Sequence, residues 1–528
     1  MHRRDVLRLG AGMGVFAGIA GSPRAWAQAA LGSPESLEFD PGAYTELTTT
    51  VKTDEGDKAI AYRFYKAIPY VARPVDVTYQ CLNVSVPISI DGRAIDASGA
   101  PILFANSVGG YMPSSVAQAT GIDESPITGM PAGPQGAPGG SPGGRPSAGG
   151  VQSGGNAMIN AGERVSNPKL ALASGYVVVE PGARGRTLVN SEGVYFGVAP
   201  AAIVDLKAAV RYVRANQGRI PGNTDWLVSS GTSAGGALSA LLGASGGSEL
   251  YSAALADLGA ADAADHLFAA AAWCPITDLG HADMAYEWNW GSNPLESGQT
   301  VDQQLSRELA AGFAPYQASL ELEGGGAFGP LTADRYGEYL VETYLKPAAT
   351  EYLSALSDKD RAAYLKDHPE IGWNAGQATF DWAEFVKHVG TRKKDLPAFD
   401  AFDLSAPENN LFGFGKTEAR HFTTFSLRHA TGDAAAELDQ TTLDQLSMMD
   451  PMPFLIDGNP ARSRNWWIRV GTSDTDTALT VVGNLAAATE NLGDTVNAAM
   501  YWDAGHGANE DASAFMRWIA EVTGYRGP

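Results

Sequence analysis

A serine and a histidine occupy positions where they could act together in acyl transfer. Ser233 lies in "GTSAG", a G-x-S-x-G pattern in which a serine occupies a tight turn between a strand and a helix. A serine hydroxyl is a weak nucleophile and needs a histidine base, which a carboxylate must orient. His506 in "DAGHGANE" lies between the last predicted strand and the last predicted helix, where such a base is expected.

The carboxylate should follow an earlier strand, and "RVGTSDTDTALT" offers Asp474 and Asp476 there. The chain order serine, aspartate, histidine fits an α/β-hydrolase, but order and strand position allow either aspartate. The other histidines fit this role less well. We interpret His388, His421 and His429 as ordinary surface or packing residues.

The tetrahedral intermediate of acyl transfer also needs backbone N–H donors for its oxyanion. Ala234, directly after the nucleophile, should supply one of them. The loop "NSVGGYMPS" after the predicted strand "PILFA" should supply the other from Gly109 or Gly110. This loop resembles the glycine-rich oxyanion loop of esterases, although it lacks their usual histidine.

The elements that must position these residues alternate between short apolar strands and helices. Strands are predicted over 101–107, 175–182, 225–231, 270–278, 465–471 and 496–505. Helical patterns follow several of them, including "AAIVDLKAAVRYVRANQG", and residues 511–525 close the chain. This alternation predicts βαβ units, a mostly parallel sheet and an α/β-hydrolase fold.

The predicted domain organisation has a hydrolase core over 28–280 and 451–528. A large, mainly helical cap over 281–450 is inserted before the strand that carries the triad aspartate. Residues 129–155 are rich in glycine and proline, which favours a flexible surface loop.

The N-terminus predicts export. Arg3 and Arg4 precede a mildly apolar run, and "AWA" allows cleavage before Gln28, so residues 1–27 are interpreted as a twin-arginine-type signal. The apolar run is too short to span a membrane. The mature protein is therefore expected in the periplasm or outside the cell, with no stable membrane insertion.

Composition narrows the class of partner. The 528-residue chain has a formal net charge of −22 and no Lys/Arg-rich run, which argues against nucleic-acid binding. We predict a small-molecule substrate and neither a metal nor another cofactor.

The two cysteines, Cys81 and Cys274, are expected to be buried free thiols, with a single bridge as the alternative. The sequence carries no signal of oligomeric state.

Three segments together resemble the bacterial tannases, the tannin acyl hydrolases of the α/β-hydrolase fold. They are "GTSAGGALSALLGASG", "CPITDLGHADMAYEW" and "GTSDTDTALT…YWDAGHG". The resemblance implies hydrolysis of the ester between gallic acid and an alcohol, a sugar or another phenol. It also implies that Ser233, Asp474 and His506 form the triad, and that Asp476 binds a galloyl hydroxyl.

The same resemblance implies four further substrate contacts. Ile276 and Pro407 match apolar residues that flank the galloyl ring. Glu408 matches an acceptor for ring hydroxyls, and Lys394 matches a lysine at the same groups, with Lys393 as the adjacent alternative. Such a site suits a flat ring whose rim carries three hydroxyl donors, because carboxylates accept these well.

Two departures and several alternatives accompany this interpretation. Thr232 and Gly505 stand where the fungal tannase and feruloyl esterase group has cysteines, which excludes that group. The loop 129–155 differs from the compact family pattern and could form a flap at the pocket mouth. The alternatives are a feruloyl or general carboxylesterase, a peptidase of this fold, and a hydrolase-like binding protein.

Overall fold

The structure is a computed structural model that describes residues 37–124, 157–160, 163–326 and 328–527. The predicted export signal 1–27 and the predicted loop 129–155 both lie outside the described residues. Within the described part of the chain, no helix is long and apolar enough to cross a membrane.

Strands occur throughout the described chain. They are β1 (Thr45–Thr53), β2 (Gly56–Pro69), β3 (Cys81–Ile90), β4 (Arg93–Ala94), β5 (Ile102–Ala105), β6 (Ala157–Asn160), β7 (Glu163–Ser166), β8 (Val177–Pro181), β9 (Leu227–Thr232), β10 (Ala269–Trp273), β11 (Glu323–Gly324), β12 (Gly329–Pro330), β13 (Gly372–Asn374), β14 (Gln377–Thr379), β15 (Asn465–Gly471) and β16 (Thr495–Tyr501).

Helices connect and cover these strands. They are α1 (Asn167–Ala173), α2 (Ala201–Ala215), α3 (Ala234–Ala244), α4 (Ser252–Leu258), α5 (Leu279–Trp290), α6 (Gln303–Ala310), α7 (Phe313–Ser319), α8 (Ala333–Leu340), α9 (Lys346–Ala355), α10 (Asp358–Asp367), α11 (Trp382–Val389), α12 (Pro407–Leu411), α13 (Thr424–Thr431), α14 (Gln440–Met449), α15 (Met452–Ile456), α16 (Leu479–Asn491) and α17 (Ala512–Thr523).

The central sheet has ten strands in the order β1-β2-β3-β8-β5-β9-β10-β15-β16, with β4 paired to β3. From β8 to β16 all neighbours are parallel, which confirms the predicted mostly parallel α/β-hydrolase sheet. The strands β8, β9 and β10 are buried along nearly their whole length. Strands covered on both faces become continuous apolar runs, and this is why the sequence reveals them.

The start of the sheet differs from the prediction of strand–helix alternation from about residue 40. Strands β1, β2 and β3 are antiparallel neighbours, and β1 turns directly into β2 with Thr53 opposite Gly56. The segment "TELTTTVKT" of β1 is rich in β-branched residues and largely exposed. Such an edge strand has few buried apolar side chains, so its apolar pattern is weak.

Residues 281–450 are mainly helical, with helices from α6 to α14 and the two small hairpins β11–β12 and β13–β14. Helix α5, which begins at Leu279, contacts α16 of the predicted core. The assignment of this segment as a separate cap domain stays a prediction.

The carboxyl ends of the parallel strands meet at one edge of the sheet, where open α/β sheets bind their ligands. Ser233 follows β9, Ile276 follows β10, and Asp474 follows β15. His506 follows β16, and the glycine-rich loop 106–110 follows β5. The topology therefore brings residues from five distant parts of the sequence to one place.

Candidate active site

Ser233 occupies a strained turn between β9 and α3. Its backbone has φ 60° and ψ −123°, and its N–H donates to the Trp273 carbonyl at 2.9 Å. A Cβ at Gly231 would lie 2.3 Å from the Gly235 carbonyl oxygen, and a Cβ at Gly236 would lie 2.4 Å from that of Trp273. The turn therefore needs glycine at both positions.

The side chains of Ser233, His506 and Asp474 form a continuous chain of contacts. Ser233 Oγ lies 2.9 Å from His506 Nε2, and His506 Nδ1 lies 2.9 Å from Asp474 Oδ2. Burial lowers the pKa of His506, but the Asp474 carboxylate and the Cys274 thiol raise it by more, so it lies well above the usual value. The arrangement can move a proton from Ser233 to the imidazole.

The two neighbouring aspartates occupy different environments. Asp474 is fully buried, and its second oxygen accepts the backbone N–H of Asp476 at 2.9 Å. The Asp476 side chain instead accepts a hydrogen bond from Lys393 Nζ at 2.7 Å. The geometry thus distinguishes two carboxylates that strand position and chain order leave equivalent.

The loop after β5 packs against the start of α3. Asn106 Nδ2 donates to the carbonyls of Ser230 and Gly235 and to Ser239 Oγ at 3.0–3.2 Å. A Cβ at Gly235 would lie only 2.8 Å from the Val108 carbonyl oxygen. These contacts bring the loop with Gly109 and Gly110 beside Ala234, the first residue of α3.

The two residues that the resemblance places on the faces of a substrate ring differ in exposure. Ile276 is buried, its N–H donates to the Ser233 carbonyl at 3.2 Å, and its carbonyl accepts the Tyr111 hydroxyl at 2.8 Å. Pro407 is exposed and is the first residue of α12. Ile276 is therefore fixed to the backbone of Ser233, whereas Pro407 lies in the mainly helical segment 281–450.

Glu408 and Lys394 lie together beside Pro407. Lys394 Nζ is 3.8 Å from Glu408 Oε1 and also lies 3.8 Å above the centre of the Phe399 ring. Glu408 Oε2 is buried and has no hydrogen-bond partner among the described residues. A buried carboxylate oxygen without a partner is costly, and a ligand hydroxyl would satisfy it.

Comparison with known proteins places this geometry in a family. A tannin acyl hydrolase solved in complex with ethyl gallate is 33% identical, with a TM-score of 0.73. The match covers 92% of this chain and 98% of that enzyme. Fusobacterium nucleatum tannase is 32% identical, with a TM-score of 0.73 and coverages of 92% and 99%. The Lactobacillus plantarum enzyme is 32% identical, with a TM-score of 0.74 and coverages of 92% and 98%.

The chain belongs to the bacterial tannase family of α/β-hydrolases. The family model described as BD-FAE also matches residues 152–311. A comparison with the curated proteins gives no significant match. The family identifies the protein as a carboxylic ester hydrolase, as the sequence predicts.

Two residues that hold this tannase-family site together are missed by sequence reasoning. Arg186 donates from Nε to the Gly110 carbonyl at 2.9 Å and from Nη1 to Asn410 at 3.1 Å, so it ties the β5 loop to α12. The Tyr286 hydroxyl donates to the Thr475 carbonyl at 2.7 Å and accepts the Lys394 N–H. Their partners are distant in sequence, so no local pattern signals these roles.

The two cysteines and the histidines that are predicted to have no catalytic role differ in their surroundings. Cys81 and Cys274 are both buried free thiols. His429 is exposed and stacks on Phe402, and His421 hydrogen-bonds to a buried aspartate, as expected of surface and packing residues. His388 departs from that expectation because its buried side chain contacts carboxylates through both ring nitrogens.

Proposed function

We propose that the protein is an exported serine esterase that hydrolyses galloyl esters of tannins and alkyl gallates. The observation that carries the proposal is the Ser233–His506–Asp474 chain of contacts beside Glu408, whose buried oxygen lacks a partner. The relative solved with ethyl gallate supports the choice of acid. We infer export from Arg3, Arg4 and the cleavage pattern.

In the first half of the reaction, neutral His506 takes the hydroxyl proton of Ser233 through Nε2. Ser233 Oγ attacks the ester carbonyl carbon, and the carbonyl π electrons move onto the oxygen. The N–H groups of Ala234 and of Gly109 or Gly110 stabilise this oxyanion. The tetrahedral intermediate collapses, the alcohol oxygen leaves, and the imidazolium returns its proton to that oxygen.

In the second half, water hydrolyses the galloyl ester of Ser233. His506 takes a proton from the water, whose oxygen attacks the same carbonyl carbon. Collapse of the second intermediate releases gallic acid, and Ser233 Oγ regains its proton from the imidazolium. Asp474 holds the imidazole in the orientation that both halves need and stabilises its charged form.

Recognition of the acid uses the apolar faces of its ring and its polar rim separately. Ile276 and Pro407 pack on the two faces of the ring. Pro407 comes from residues 281–450, the capping segment. Asp476 and Glu408 accept hydrogen bonds from the ring hydroxyls, with Lys394 beside them. An acid without ring hydroxyls would leave these acceptors unpaired, so its ester would be bound and hydrolysed less well. Such discrimination between substrates can reach about 10⁴-fold.

We also infer that residues 281–450 form a cap over this acid site. The support is that this segment supplies Lys394, Pro407 and Glu408, whereas the flanking segments supply the hydrolytic residues. In this arrangement the core carries the hydrolytic residues together with Ile276 and Asp476, and the cap completes the acid site with Lys394, Pro407 and Glu408.

The test compares methyl gallate, methyl protocatechuate, methyl ferulate and methyl benzoate as substrates. We expect kcat/KM to fall from gallate to benzoate as ring hydroxyls are removed. Ferulate should be poor because its methoxy group cannot donate a hydrogen bond. A preference for ferulate would contradict the galloyl assignment and favour a feruloyl esterase.

The matched control is Ser233→Ala, which should abolish hydrolysis of all four esters while the circular dichroism spectrum stays unchanged. A fluorophosphonate should label the native chain stoichiometrically and leave this variant unlabelled. Residual turnover by Ser233→Ala would overturn the covalent mechanism even if the order of substrates held.

A further inference from the structure

A cluster of two histidines and a glutamate lies in the capping segment, outside the catalytic centre. His388 Nδ1 is 3.0 Å from Glu370 Oε1, and His368 Nδ1 is 3.6 Å from the same oxygen. One ligand atom from each of the three residues lies within 4.8 Å of the others. We propose that His368, Glu370 and His388 bind a zinc ion.

The spacing of these atoms fits a zinc coordination shell. Zinc bonds to histidine nitrogen and carboxylate oxygen at about 2.0–2.1 Å, which in a tetrahedron separates neighbouring ligand atoms by about 3.4 Å. The two separations from Glu370 Oε1, 3.0 and 3.6 Å, lie on either side of that value. Little movement is therefore needed for the three atoms to face one ion.

The ligand types select zinc over the common hard cations. Two imidazoles and one carboxylate suit zinc and its transition-metal neighbours, whereas calcium and magnesium prefer shells of oxygen alone. The His388 side chain is only 3% exposed, while that of His368 is 38% exposed. The ion can thus enter from the His368 side, where water can occupy the fourth position.

The second nitrogen of His388 is held as a zinc ligand requires. His388 Nε2 lies 2.6 Å from Asp503 Oδ1, and the other Asp503 oxygen accepts the Tyr364 hydroxyl at 2.5 Å. A histidine that binds a metal usually donates its free N–H to a carboxylate, which fixes the tautomer. With Nε2–H committed to Asp503, zinc displaces the Nδ1 proton that His388 otherwise donates to Glu370, and the freed lone pair faces the ion.

The position of Asp503 gives the ion a structural role in the enzyme. Asp503 follows β16, three residues before His506, and its N–H donates to Thr472 Oγ1 at 2.9 Å. Thr472 in turn lies two residues before Asp474. Zinc on the capping segment therefore fixes, through His388 and Asp503, both loops that carry the proposed base and its aspartate.

The experiment titrates the metal-free full chain, carrying no polyhistidine tag, with zinc chloride in a calorimeter. We expect one zinc per chain, confirmed by elemental analysis after gel filtration. His368→Ala should weaken the site at least tenfold, and it leaves the direct contacts of His388 with Glu370 and Asp503 in place. His429→Ala, which removes an exposed histidine outside every cluster, should bind zinc like the native chain.

A second variant tests the hydrogen bond that orients His388. Asp503→Asn should weaken zinc binding about 10–100-fold, as loss of such a carboxylate does elsewhere. Cobalt(II) in place of zinc should give visible absorption bands that His368→Ala abolishes. Both readouts report the ion itself and do not depend on the proposed substrate.

Two other groups of potential metal ligands among the described residues could bind the ion instead, and variants in them test the assignment. They are Cys274 with Asp474 and His506, and Asp278 with His281 and Asp450. If Cys274→Ala or His281→Ala removes the ion and His368→Ala does not, the assignment is wrong. Absence of zinc binding by the native chain would show that Glu370 and Asp503 hold His388 without a metal, and would also overturn the proposal.

Discussion

The centre that contains Ser233 and the proposed acid site around Glu408 are built in different ways. Backbone hydrogen bonds and glycines that no larger residue can replace hold the first, and its aspartate is fully buried. Charged side chains from separate segments form the second: Lys394 lies beside Glu408, and the adjacent Lys393, which is 58% exposed, pairs with Asp476. The comparison indicates that the backbone around Ser233 tolerates little change, whereas the ion pairs of the proposed acid site can be changed individually.

The largest expected effect separates the two regions through their neighbouring aspartates. Asp474→Asn should lower kcat about 10⁴-fold on every ester, because the imidazole loses its orienting carboxylate. Asp476→Asn should lower kcat/KM for methyl gallate much more than for methyl benzoate. Steady-state kinetics on both esters measure this, and equal behaviour of the two variants would show that the aspartates share one role.

The next effect concerns a buried ion pair whose arginine, Arg392, donates to the Lys394 carbonyl. Arg392 and Glu287 are both fully buried, and Arg392 Nη1 donates to Glu287 Oε2 at 2.8 Å. Arg392→Ala should lower the free energy of unfolding by about 3–5 kcal/mol, because an unpaired charge stays buried. Urea unfolding measures it, with Arg464→Ala, an exposed partner of Asp494, as the control. A loss below about 1 kcal/mol would show that the pair contributes little.

A smaller effect should follow removal of charge from the buried acceptor. Glu408→Gln keeps the shape of the side chain but weakens its hydrogen bonds to ring hydroxyls. We expect kcat/KM to fall about 10–100-fold for methyl gallate, the loss of roughly 1.4–2.7 kcal/mol, and to change little for methyl benzoate. Equal losses on both esters would assign Glu408 a purely structural role.

The two lysines offer a matched pair with a smaller difference. Lys394→Met should reduce kcat/KM for gallate several-fold, because the side chain is mostly buried beside Glu408. Lys393→Met should change it less than about threefold, since exposed ion pairs contribute about 0–1 kcal/mol. Kinetics on methyl gallate decide which lysine contacts the acid, and a larger effect at Lys393 would reverse the assignment.

The smallest effect is a shift in the dependence of activity on pH. His506 must be neutral to take the Ser233 proton, and its raised pKa places the acid limb of kcat/KM above pH 6.5. Activity should therefore rise as pH increases through that pKa. Cys274→Ala removes a group that favours the charged ring, so the limb should move to lower pH. If the acid limb of the Cys274→Ala variant stays at the native pH, Asp474 alone raises the pKa of His506.

The contrast between the two regions also explains what the sequence could reveal. The parallel strands β5, β8, β9, β10 and β15 are almost entirely buried and follow the predicted apolar runs. The turn at Ser233 has a local glycine pattern. The edge strand β1 is largely exposed, so it lacks such a signal. Contacts such as those of Arg186 and Tyr286 join distant segments, so only the fold brings them together.

The backbone hydrogen bond between Ile276 and Ser233 has a consequence for the evolution of new acid preferences. Any shift of the Ile276 main chain would also displace the nucleophile, so that wall of the pocket has little freedom to adapt. Pro407 and Glu408 lie in the first turn of a short helix whose backbone hydrogen bond to the core, from Ala199 N–H to the Leu411 carbonyl, is at its far end. We therefore expect variants selected for bulkier or differently substituted acids to accumulate changes around residues 407 and 408, while Ile276 keeps its backbone position.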